Sequence, residues 1–198
     1  MQEISPTLVR DLREKTGAGI MDCKRALAET SGDLDRAVDF LRKKGVATAE
    51  KKSGRAANQG LVGAYIHAGG GLGVLVEVNC ETDFVAKTDE FQSLVRDLAM
   101  QIAAANPLVV RRDDLPHDAV AREREIYRAQ AEGTGKPPQV IEKIIDGKIE
   151  KYFQERCLEE QAFVKDPEKT VKAVVTEKIA LLGENIAIRR FARFKLGE

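Results

Sequence analysis

The residues of this chain with chemical potential are three cysteines, two histidines, several adjacent carboxylates and one glycine run. Cys23, Cys80 and Cys157 are far apart and odd in number, which suits neither a disulfide framework nor a zinc site. They are expected to be reduced, mostly buried thiols. His67 and His117 have no Cys, Asp or Glu companion at a metal-ligand spacing, so no metal is expected. No Ser, Cys or Thr stands in a recognisable nucleophile setting. Asp113-Asp114, Glu123 with Glu125, and Glu159-Glu160 fall in helical or loop contexts that read as solvated faces. Gly69-Gly70-Gly71 invites comparison with a phosphate loop, but such a loop opens into a helix N-terminus and this one leads into Val74-Leu75-Val76. A hairpin turn is the reading. The chain is expected to have no catalytic site and no cofactor of its own.

Recognition is better supported than catalysis. In Asn79-Cys80-Glu81-Thr82-Asp83-Phe84-Val85-Ala86-Lys87 a valine run ends and a helical pattern begins, with Phe84 set between capping-type polar residues. An aromatic ring held out there could insert into a partner. Alternatively, Phe84 is a hydrophobic staple beneath a helix start.

Composition narrows the class. A chain of 198 residues with 43% hydrophobic content can bury a real core and build one to three small domains. Nothing approaches the roughly 20 consecutive apolar residues needed to cross a bilayer, and Met-Gln-Glu-Ile-Ser-Pro lacks the regions of a signal peptide. No membrane association and a cytoplasmic location are therefore expected. Basic and acidic residues balance at 32 each, which removes the whole-molecule attraction to phosphate that a general nucleic-acid binder uses. Arg42-Lys43-Lys44, Lys51-Lys52 and Arg55 form the strongest basic stretch, read as a solvated linker.

The elements that must position these residues follow from periodicity and punctuation. Residues 1–45 predict three short helices. Ser5-Pro6 caps the first, in which Leu8, Val9 and Leu12 share a face before Gly17-Ala18-Gly19. The second spans Ile20 to Thr30, and Ser31-Gly32-Asp33 opens a third that Gly45 is expected to end. Residues 46–59 read as the basic linker. Within 60–114, Leu61 to His67 and Gly73 to Cys80 predict a β-hairpin, with Val74, Val76, Val78 and Cys80 on one face, followed by a helix from about Thr88 to Ala105. Residues 115–162 predict two helices returning on each other around Gly133 to Pro138. The second carries Ile141, Ile144, Ile145, Ile149, Tyr152 and Phe153 against Val120, Tyr127 and Ala131. In 163–198, Asp166-Pro167 is expected to open a last helix ended by Gly183, and Ile186, Ile188, Ala192 and Phe194 to form a third strand that completes the sheet. The fold class is α+β, with a small three-stranded antiparallel sheet covered by helices.

Three stretches carry a family resemblance. Leu8-Val9-Arg10-Asp11-Leu12-Arg13-Glu14-Lys15-Thr16-Gly17-Ala18-Gly19-Ile20-Met21-Asp22-Cys23-Lys24-Arg25-Ala26-Leu27 closely resembles the opening of the bacterial elongation factor Ts family. Val76 to Lys87 is similar to its second signature, and Leu158-Glu159-Glu160-Gln161-Ala162-Phe163-Val164-Lys165-Asp166 to a third, in the family's order.

The resemblance implies a guanine nucleotide exchange factor of translation elongation that binds the GTPase elongation factor Tu and speeds GDP release. It implies a ubiquitin-associated-like N-terminal module docking on that GTPase through a surface including Leu12, Ile20 and Met21. Thr82, Asp83, Phe84 and Val85 would displace the partner's magnesium ion, with Asp83 and Phe84 as the intruding pair. Residues 115–162 would be the family's projecting coiled coil. Longer members carry a core with two similar halves, whereas Gly60 to Glu198 has room for one sheet unit. A second copy is therefore expected to complete the core, giving a homodimer that engages two GTPase molecules. A ribosome- or RNA-associated protein and a ubiquitin-associated-type adaptor are the competing readings.

Overall fold

The computed structural model describes residues 4–133 and 136–198. Two residues of the expected interhelical turn, Thr134 and Gly135, lie outside the described residues.

The N-terminal segment forms α1 (Pro6–Thr16), α2 (Ile20–Glu29) and α3 (Leu34–Lys52). The Ser5 hydroxyl accepts from the Thr7 N–H, Pro6 begins α1, and Asp33 Oδ1 accepts from the Arg36 N–H at 3.0 Å to cap α3. These caps satisfy donors that a helix start leaves open. Val9 and Leu12 of α1, Cys23, Ala26 and Leu27 of α2, and Ala37 of α3 bury their side chains together.

The expected end of α3 at Gly45 is corrected. The helix runs through Gly45 for another two turns, so residues 46–52 of the expected linker are helical. An interior glycine costs a helix only about 1 kcal/mol relative to alanine. Gly45 is buried, and a Cβ there would meet the Ala180 Cβ at 3.5 Å. Contact with another helix thus replaces the turn that punctuation alone suggested.

Strands β1 (Gln59–Ile66) and β2 (Leu72–Cys80) follow, then α4 (Asp83–Ala86) and α5 (Asp89–Ala105). A later strand, β5 (Ile186–Lys195), joins them in a three-stranded antiparallel sheet of order β1-β2-β5. The alternation expected for β2 holds: Val74, Val76, Val78 and Cys80 are all buried. In β5, Ile186 and Ile188 are buried. Arg190, which interrupts the apolar alternation, instead donates from Nε to Glu77 Oε2 at 2.7 Å.

Gly60 enters β1 at φ 142°, and a Cβ there would lie 2.1 Å from the Val78 carbonyl oxygen. Both the positive φ and the backbone approach exclude a side chain. Gly60→Ala is expected to lower stability by about 2 kcal/mol or more, measured as an earlier denaturant midpoint at unchanged slope.

The α6 (His117–Glu132) and α7 (Pro138–Arg156) helices pack on each other in opposite directions. Arg128 pairs with Glu142 at 3.0 Å, while Arg124, one turn earlier in α6, pairs with Asp146, one turn later in α7. Ile145 and Ile149 of the α7 stripe are buried, as is Ala131 of α6. At the other end, Leu115, Tyr152 and Cys157 form a small core with Val109, Val120 and Phe153 against it.

Asp166-Pro167, expected to open a helix, instead begins a strand. Short strands β3 (Ala162–Phe163) and β4 (Asp166–Thr170) pair antiparallel, and α8 (Val171–Leu182) begins only after them. The residues just before Asp166 are held by a buried side chain of α5. Gln101 donates from Nε2 to Gln161 Oε1 at 3.1 Å and to the Ala162 carbonyl at 3.2 Å, and its Oε1 accepts from the Val164 N–H at 2.8 Å. A buried amide must satisfy such groups, and doing so fixes residues 161–164, from which β3 pairs with β4.

The described chain divides into two compact units: residues 4–61, 78–94 and 173–187 in one, and the remaining described residues in the other. The first gathers α1–α3, α4 and most of α8. The second holds the hairpin tip, α6, α7 and the β3–β4 pair.

Candidate partner-binding site

Strand β2 ends at Cys80, whose Sγ donates to the Thr82 carbonyl at 3.1 Å. Burial raises the Cys80 thiol pKa, so this sulfur acts as a neutral donor. Thr82 is the N-cap of α4, and its hydroxyl accepts from the Val85 N–H at 3.3 Å. The helix is a single turn of four residues, too short to be stable from propensity. Its place must be imposed from outside.

Two neighbouring residues after α8 impose it. Glu184 Oε2 accepts from the Glu81 N–H at 3.1 Å and the Thr82 N–H at 3.0 Å, and Oε1 accepts from the Thr82 hydroxyl at 2.6 Å. In return the Asn185 N–H donates to Glu81 Oε1 at 2.6 Å. The buried Asn185 side chain donates from Nδ2 to the carbonyls of Arg55, at 2.8 Å, and Ser53, at 3.4 Å. The bond from Asn185, aided by the positive charges of Arg55 and Lys52, holds the Glu81 carboxyl below its usual pKa. The clasp therefore joins the end of α3, the end of β2 and the end of α8 around the entry to α4.

On this clamped turn, Ala86 is buried and Val85 half-buried, whereas Phe84 is 78% exposed. That exposure removes the staple reading, because a staple would be covered. Asp83 forms an ion pair with Lys87 at 2.6 Å, which holds its carboxyl below the usual range. Lys87 Nζ also lies 6.0 Å from the centre of the Phe84 ring. Thr82, Asp83, Phe84 and Val85 thus form one tip: a rigid cap, a charged carboxylate, an exposed ring and a partly buried anchor.

The N-terminal helices present a second exposed face. Ile20 and Met21 are 50% and 70% exposed at the start of α2. With Arg13, Gly17, Ala18, Gly19, Asp22 and Leu181 of α8 they line a cleft of about 470 Å³. Leu12 requires correction, since it is fully buried in the module's core. A leucine on the inner face of a small three-helix core cannot touch a partner while that core is folded; it supports the exposed face from within.

Glu184, Asn185 and Leu181 escaped the sequence reading. Gly183 announces a helix end, and polar residues just after such an end are solvated by default. Nothing local marks Glu184 as the acceptor for a segment 102 residues away.

Three of the six residues of the basic stretch are engaged within the fold. Lys44 pairs with Asp22, Lys52 donates to the Gly183 carbonyl, and Arg55 lies 3.5 Å from Glu81. All three thiols are buried, and burial pushes the Cys157 pKa up to about 11. Among the described residues no group of three His, Cys, Asp or Glu side chains could hold a metal ion, and no helix is long and apolar enough to cross a membrane.

The family model described as Elongation factor TS matches residues 45–198. Elongation factor Ts of Carboxydothermus hydrogenoformans is 62% identical over 195 residues, covering 98% of this chain and 90% of the relative. The same protein of Geobacter sulfurreducens is 62% identical with the same coverage. That of Thermoanaerobacter sp. is 60% identical, covering 98% of this chain and 96% of its own length. Matched by that family model over most of its length and similar to these proteins along nearly all of it, the chain belongs to the elongation factor Ts family.

Proposed function

We propose that this protein is a guanine nucleotide exchange factor that binds the GDP form of elongation factor Tu and promotes release of the nucleotide so that GTP can enter. The observation that carries the reading is Phe84, a large apolar ring 78% exposed on a turn whose polar groups are fixed by neighbouring residues. An exposed ring on a rigid mount can enter a partner with little ordering cost. Magnesium bridges nucleotide phosphates to a GTPase, so a ring and carboxylate that disturb its surroundings weaken nucleotide binding. Linkage then requires bound nucleotide to weaken exchange-factor binding by the same factor.

In this reading the three N-terminal helices form a ubiquitin-associated-like module. Ile20 and Met21 dock on the nucleotide-binding domain of elongation factor Tu, while Asp83 and Phe84 work at the magnesium site. Helices α6 and α7 correspond to a projecting coiled coil. The factor has no catalytic chemistry of its own; it changes the partner's affinity for nucleotide.

The test is release of a fluorescent GDP from elongation factor Tu on mixing with the protein. Release should accelerate and saturate with factor concentration. Unchanged release, accompanied by salt-sensitive RNA binding, would overturn the exchange reading in favour of an RNA-associated role.

The same reading includes a homodimer bound to two GTPase molecules. Ile66, Leu75, Phe194 and Leu196 remain exposed around a largely apolar groove of about 590 Å³ on the sheet. A second copy packing here would cover this apolar surface. Sedimentation at micromolar concentration is expected to give a dimer and a two-to-two complex; a monomer forming a one-to-one complex would exclude it.

A further inference from the structure

We infer that Glu184 is a positioning residue for nucleotide exchange, acting through Thr82 to hold the one-turn helix that carries Phe84. The inference rests on the assignment of Phe84 as the intruding ring. Its physical basis is the polarity of the hydrogen-bond chain. An ionised carboxylate only accepts, so Glu184 draws the Thr82 hydroxyl hydrogen onto Oε1 at 2.6 Å. The lone pairs of that hydroxyl are thereby left to the Val85 N–H, at 3.3 Å. The second oxygen of Glu184 takes the Glu81 and Thr82 N–H groups. With Cys80 Sγ bonded to the Thr82 carbonyl, the N–H, carbonyl and hydroxyl of the cap residue are all used.

The arrangement serves rigidity at the tip more than burial. Phe84 itself is exposed, and the turn is anchored inward by Ala86 and in part by Val85. Without the carboxylate, the Thr82 hydroxyl is free to rotate and two backbone donors lose their acceptor. The ring then samples several orientations, and the cost falls on the step in which it enters the partner. Docking through Ile20 and Met21 does not use this bond chain. Loss of Glu184 should therefore appear mainly in the maximal rate of GDP release and only weakly in the factor concentration giving half that rate.

The experiment follows release of fluorescent GDP from elongation factor Tu over a range of factor concentrations. It compares the unaltered protein with Glu184→Ala, Glu184→Gln, Thr82→Val, Phe84→Ala and the double variant Phe84→Ala/Glu184→Ala. Charge-assisted bonds of this kind correspond to roughly tenfold or more in rate. Glu184→Ala should lower the maximal rate by about tenfold and shift half-saturation by less than about threefold. Glu184→Gln keeps one oxygen able to accept from both N–H groups but turns an N–H donor toward the Thr82 hydroxyl, so it should recover only part of the rate. The double variant should be no slower than Phe84→Ala alone, because the carboxylate acts through the ring.

A normal maximal rate for Glu184→Ala, with Phe84→Ala slow, would overturn the positioning role and leave the ring's role standing. A further tenfold loss in the double variant would also overturn it, by showing a separate structural effect. Normal exchange by Phe84→Ala would remove the intruding-ring assignment itself. If Glu184→Ala does not fold, Thr82→Val interrupts the same chain while keeping shape and carboxylate. A normal maximal rate for that variant would overturn the inference.

Discussion

Phe84→Ala should slow GDP release from elongation factor Tu by roughly ten- to a hundredfold while leaving the fold unchanged. Burying one phenylalanine on a partner contributes about 1.5 to 3 kcal/mol, and each 1.4 kcal/mol is about tenfold. The same ring contributes little to folding, because 78% of it is already in water. Its removal should change unfolding free energy by no more than about 0.5 kcal/mol. Fast-mixing exchange measurements and a thermal melt on the same preparation separate the two quantities. Unaltered exchange, or a large drop in melting temperature, would each contradict a ring mounted for insertion. Acceleration beyond about a hundredfold has to come from other contacts, for which the proposed docking face and Asp83 are the candidates.

Leu12→Ala and Met21→Ala should fail in opposite ways although they lie nine positions apart. Leu12 is fully buried among Val9, Cys23, Ala26, Leu27 and Ala37. Truncating such a leucine costs about 2 to 5 kcal/mol through lost transfer energy and a residual cavity. A core of this size has little reserve, so the N-terminal helices should lose protection in amide exchange at temperatures where the sheet remains protected. Met21 is 70% exposed at the rim of the cleft. Met21→Ala should leave stability within about 0.5 kcal/mol and weaken affinity for elongation factor Tu by about tenfold, seen as a higher half-saturating concentration at the same maximal rate. If Met21→Ala binds normally, the docking face lies elsewhere.

Much of the architecture was legible because its signals are local. Ser5-Pro6 and Asp33 cap helices within three residues of themselves, and apolar residues recur at helical spacing in α5 and α7. The valines of β2 alternate, and the glycine turn joins the hairpin strands. Each of these preferences acts over a turn of helix or a pair of strand positions. The tip was legible in part: capping residues around Phe84 marked a helix start, and the family resemblance implied the role proposed for it.

What escaped depended on residues far apart in the chain. Gly45 reads as a stop until Ala180 lies against it, and Asp166-Pro167 reads as a helix start until Gln101 fixes the preceding residues, from which β3 pairs with β4. Leu12 and Met21 occupy the same apparent surface by motif, yet one is core and the other rim. The residue types and their order therefore specify the helices, the hairpin, the family and an aromatic at a capped turn. Tertiary packing alone decides that this ring is exposed and clamped, because the Glu184 carboxylate that clamps it is 102 residues from Thr82 and reaches it only once α8 and β2 end side by side.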